Sequence, residues 1–80
     1  MNNKQANAGP FRPRACAKSE LALLYFPLAS SPHVAVNHLT AWMRRCKPLL
    51  AELEAAGYAK TQKMLTPRQV EAIVRYLGEP

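Results

Sequence analysis

The chain contains no Asp, and its five acidic residues are all Glu. The closest two, Glu52 and Glu54, would stand about 200° apart on a helix, so they cannot share acid–base work. With only three Gly there is no Gly-rich loop or P-loop spacing, and no phosphate cradle is legible. The two His, His33 and His38, are about 140° apart on a helix, which is not the i, i+4 grip that holds a metal. Two Cys lie far apart, without a CxxC neighbour, so neither a disulfide framework nor a zinc site is expected. Both read as reduced thiols, Cys16 in a tail and Cys46 buried at helical spacing with apolar neighbours. The longest apolar run, Leu21 to Phe26, is far short of the roughly 20 residues that span a bilayer. The first seventeen residues have no apolar core and carry Pro10 and Pro13, unlike a secretory signal. These absences predict a soluble, cytoplasmic, noncatalytic protein with no cofactor, metal, membrane or small-molecule substrate.

What is present is one small helical domain. The chain has 80 residues and a mass of 8.9 kDa. Hydrophobic residues make up 49% of it, but 13 are Ala. About two dozen large apolar side chains suffice for one core and not for two. The charge of +6 is unevenly placed. Lys4, Arg12, Arg14 and Lys18 stand in the first eighteen residues with no acid between them. The remainder sets Arg44, Arg45, Lys47, Lys60, Lys63, Arg68 and Arg75 against all five Glu. The tail therefore supplies most of the excess charge and little apolar surface. Residues 1–17 read as a flexible basic arm and 18–80 as the helical domain.

Pro and Gly divide that domain into about four helices, an all-α bundle. The first runs from Lys18 to Phe26, with Ser19 as N-cap, Glu20 at its positive end and Pro27 as its stop. Leu21, Leu24 and Tyr25 share one face, with Ala22 beside them. The second is capped by Ser30 or Ser31 with Pro32 at its first position. Ala35, Leu39, Trp42, Met43 and Cys46 form its apolar stripe, and His33, Asn37, Thr40 and Arg44 face away, with Ala41 and Arg45 on the flank. Pro48 ends this helix and opens a third, Pro48 to Ala56, which buries Leu49, Leu50 and Leu53 and stops at Gly57. Tyr58 to Leu65 is a connection with an extended excursion. Thr66 and Gln69 make a capping box for the last helix, Pro67 takes its first position, and Gly78 ends it. Val70, Ile73, Val74 and Leu77 point inward, while Glu71 and Arg75 can pair across a turn.

The segment Ser19-Glu20-Leu21-Ala22-Leu23-Leu24-Tyr25 resembles the opening helix of bacterial helix-turn-helix domains. In those domains a small residue, here Ala22, lets the second helix cross closely. The second helix would then offer Asn37, Thr40, Arg44 and Arg45 to a groove, where Asn suits adenine and Arg suits guanine. Arg12 and Arg14 on an extended arm, and Lys47, Lys60 and Lys63, would meet phosphates. This favours a DNA-binding module, a transcriptional or nucleoid-associated regulator on double-stranded DNA. The alternative is a protein-interaction adaptor or homodimer without DNA contact, using apolar residues such as Leu28, Val34 and Val36.

Several longer stretches carry a family resemblance: Lys18-Ser19-Glu20-Leu21-Ala22 with Tyr25-Phe26-Pro27, Leu39-x-x-Trp42, Leu53-x-x-x-Gly57-Tyr58, and Thr66-Pro67-x-Gln69-Val70-x-x-Ile73-Val74-x-x-Leu77-Gly78-Glu79-Pro80. Together they make the chain resemble a family of short proteins from Bacteroides and relatives known only as a domain of unknown function. At Cys16-Ala17 the family more often carries Tyr-Gly. The resemblance implies an intracellular bacterial protein with a helix-turn-helix-like first half. It assigns no activity or site residue.

Overall fold

In a computed structural model that describes residues 12–80, a two-residue strand opens the fold and four helices follow. The order is β1 (Cys16–Ala17), α1 (Lys18–Tyr25), α2 (Pro32–Arg45), α3 (Lys47–Ala55), β2 (Met64–Leu65) and α4 (Pro67–Leu77). The all-α expectation holds for the helices, and the small antiparallel ribbon is an addition to it. Cys16 pairs with Leu65 and Ala17 with Met64. The Lys18 amide extends the ladder by donating to the Lys63 carbonyl at 2.7 Å.

The helix boundaries follow local chemistry to different degrees. Ser31 caps α2, its Oγ accepting from the Val34 amide at 3.2 Å, and Pro32 follows at the first position. The reciprocal capping box of Thr66 and Gln69 starts α4. Beyond α3 the chain turns through Gly57 at φ 85, a left-handed conformation that Gly adopts without a Cβ penalty. There the Tyr58 amide donates to the Leu53 carbonyl at 2.9 Å and the Gly57 amide to Glu54 at 3.0 Å, which satisfies the last carbonyls of α3. The start of α1 differs from expectation. Its N-cap is Ala17 rather than Ser19, with no side-chain cap. The β-ribbon fixes that first turn in place of a capping hydroxyl.

Leu21, Ala22, Ala35, Leu39, Met43, Leu49, Leu53, Leu65, Val70 and Ile73 form the core. Four expected placements are corrected. Leu24 is 48% exposed, because α1 turns Leu21 and Ala22 onto α2 and Leu24 lies to the side. Trp42 is 38% exposed and packs edge-on against Phe26 and Tyr25 at the rim of the core, so it is not a central anchor. Leu50 is half-buried. Among the cysteines Cys16 is the buried one, at 5%, and Cys46 is half-buried against the core. Cys16 belongs to β1, so the ordered domain begins before residue 18. Of the basic arm expected over residues 1–17, residues 1–11 lie outside the described part.

Two polar links hold the helices in register. Gln69 is buried, and its Nε2 donates to the Ala56 carbonyl at 3.2 Å, which ties the end of α3 to the start of α4. Arg75 reaches Glu52 on α3 through two bonds of 3.0 and 2.7 Å, in place of the expected partner Glu71. Glu52 on the neighbouring helix meets the guanidinium in forked geometry, each carboxylate oxygen accepting one bond.

Candidate nucleic-acid interface

The second helix carries the candidate surface. With Leu39 on the core axis, about 100° per residue puts Thr40, His33, Arg44 and Asn37 together on one flank. Trp42, His38 and Arg45 fall on the opposite flank. Ala35, Leu39 and Met43 fill the space between and are buried, which fixes the rotation of the helix. Asn37 and Arg44 are exposed and Thr40 is half-buried.

The polar flank borders the connection from α3 to β2. Thr40 and Arg44 line a cleft of about 320 Å³ with Glu54, Tyr58 and Lys60. The Tyr58 hydroxyl is buried and has no hydrogen-bond partner among the described residues. Glu54 puts one negative charge in an otherwise basic setting. Lys60 and Lys63 are exposed on the connection itself.

The opposite flank is aromatic. Phe26 lies 4.7 Å from the Trp42 ring and 5.2 Å from the His38 ring, and Tyr25 lies 6.1 Å from Trp42. The Tyr25 hydroxyl donates to the Gly78 carbonyl just beyond α4. Burial, with help from the charge of Glu79, pushes its ionisation up to about 12.

The expected site residues thus divide into groups. Asn37, Thr40 and Arg44 share one flank, with Lys60 across the cleft. Arg45 points to the other side of the helix, and Lys47 is exposed at the start of α3. Arg12 is exposed, whereas Arg14 bonds to Glu20 at 2.9 Å, and that carboxylate raises its already high basicity. The residue that sequence reasoning missed is Lys18. It stands at the start of α1 and in the wall of a second cavity. Its partner, the Lys60 carbonyl, lies forty-two residues away, and no local spacing could signal that contact.

Among the described residues no helix is long and apolar enough to cross a membrane. No curated protein and no solved structure matches the chain. A family model described as "Domain of unknown function (DUF4248)" matches residues 12–80, which include every element of the fold. The chain belongs to the DUF4248 family.

Proposed function

We propose that this chain is a noncatalytic DNA-binding module of the cytoplasm, serving transcription or nucleoid organisation. In this reading α1 and α2 act as a helix-turn-helix-like pair, and the polar flank of α2 enters the major groove of double-stranded DNA. One observation carries it: Asn37 and Arg44 lie solvent-open on a single flank of α2, beside the cations of the α3–β2 connection. Asn and Arg are the side chains that bond bidentately to adenine and guanine edges. Arg12, Lys47, Lys60 and Lys63 supply phosphate contacts, which position the protein without reading sequence. Arg14 joins them only by giving up Glu20, an exposed pair of small net worth.

A salt titration on duplex DNA tests the reading. Neutralising four to six phosphates gives a slope of log affinity against log salt of about −4 to −5. The rotation of α2 sharpens the experiment. Arg44→Ala should weaken binding and relax sequence preference, while Arg45→Ala should do less because it lies on the aromatic flank. Equal effects of the two variants, or no binding at low salt, would remove the proposal.

A protein-interaction adaptor is the second reading, and one feature favours it. Leu28 is 97% exposed beside the Phe26–Trp42 cluster, an apolar patch of the sort that docks another chain. Size-exclusion mass of the parent and of Leu28→Ser separates this reading from the first. A dimer abolished by Leu28→Ser, with no DNA affinity in either protein, favours the adaptor.

A further inference from the structure

An ammonium group removed from water without an anion beside it is costly. Lys18 is in that situation. It is only 6% exposed. Its Nζ donates to the Lys60 carbonyl at 3.0 Å and lies 4.9 Å from the centre of the Tyr58 ring. Both partners are neutral. Among the described residues the ion pairs are Arg14–Glu20 and Arg75–Glu52, so no carboxylate reaches Lys18. Residues 1–11 contain no acid that could do so either. The Lys18 ammonium therefore has no carboxylate partner among the described residues.

Lys18 also lines a solvent-open cavity of about 470 Å³, a volume within the range of small-molecule sites. Its wall contains no acidic residue. Lys60, Lys63 and His33 stand at its edge, and Val36 and Met64 give it an apolar side. The starts of α1 and α2 both border it, through Ser19 and Pro32. The Lys18 amide is taken by the Lys63 carbonyl, but α1 has no capping side chain, so the next amides of its first turn are left to meet an anion there.

We propose that this cavity binds a small phosphorylated organic molecule. The phosphate meets Lys18, Lys60 and Lys63, and the apolar body rests on Val36 and Met64. A phosphate suits the site better than a single carboxylate, because its dianion can engage several ammonium groups at once. The site goes beyond the DNA reading, with which it shares the edge residues His33, Lys60 and Lys63.

Amide NMR spectra of the full chain, titrated separately with phenyl phosphate, phenol, inorganic phosphate and a short DNA duplex, provide the test. Phenyl phosphate should shift the amides of Ser19, His33 and Lys63 and reach saturation. Inorganic phosphate should act at the same amides more weakly, and phenol should leave them unmoved. Lys63→Ala, a surface change, should weaken phenyl phosphate about tenfold. Lys18→Met should abolish the response while the spectrum stays folded, and Arg68→Ala on α4 should bind as the parent does. Parent-like affinity in Lys63→Ala, an equal response to phenol, or unsaturable shifts spread over all basic residues would each overturn the pocket. Shifts with the duplex but not with phenyl phosphate would also overturn it, and would leave the DNA reading standing.

Discussion

The starts of α1 and α4 solve the same problem by opposite means. Each leaves backbone amides without intrahelical partners. In α4, Thr66 and Gln69 satisfy two of them within four residues of chain. In α1 no side chain does so, and the first turn is held by Lys63, forty-five residues further on. One helix carries its own instructions, and the other receives them from the finished fold. A start of the second kind stays open to outside groups, and it is there that the candidate anion cavity lies.

Substitutions can break that contrast. The largest effect is expected at Leu21, fully buried where α1 meets α2. Leu21→Ala should cost about 2–5 kcal/mol in urea unfolding, because packing is what holds this short helix. Gln69→Ala should cost about 1–3 kcal/mol, since it removes half the capping box and leaves the Ala56 carbonyl unpaired. Thr66→Ala should cost about 1 kcal/mol and Ser19→Ala much less. Equal losses at Thr66 and Ser19 would show that α1 is capped locally after all.

A subtler test uses the clasp between the two helix ends. Tyr25→Phe removes the bond to Gly78 and should cost about 1 kcal/mol near neutral pH. The folded phenol ionises near 12, above its ordinary value of 10. Stability from Tyr25 is thus fully present below pH 10 and is lost as pH rises toward 12. The difference in stability between parent and Tyr25→Phe should shrink over that interval, and a constant difference would contradict the burial of the phenol. A small effect is expected at Arg75→Ala, because the pair with Glu52 is partly exposed.

The same contrast governs what the sequence made legible. Ser31-Pro32, Thr66-Pro67-x-Gln69 and Gly57 each act within one turn of chain, so the helices they bound were readable within a residue or two. The buried stripe Ala35, Leu39 and Met43 followed from period alone. Periodicity could not place Trp42 or Leu24, because the neighbours of each helix cover a narrower strip than its apolar residues span. Long-range partners left no local trace. Cys16 in a strand, Lys18 against the Lys60 carbonyl and Arg75 on Glu52 all depend on how distant segments meet. Of the candidate interface, the shared flank of Asn37, Thr40 and Arg44 was legible, and the separation of Arg45 from it followed only once the core side of α2 was fixed.

The two-residue β-ribbon has a consequence for measurement. A ladder so short has no independent stability and closes only while its neighbours stay docked. Deuterium uptake at the Lys18 amide, bonded to the Lys63 carbonyl, therefore times each parting of residues 63–65 from the helix they brace. A compound that slows that one amide, leaving the core of α4 unchanged, has fastened this seam.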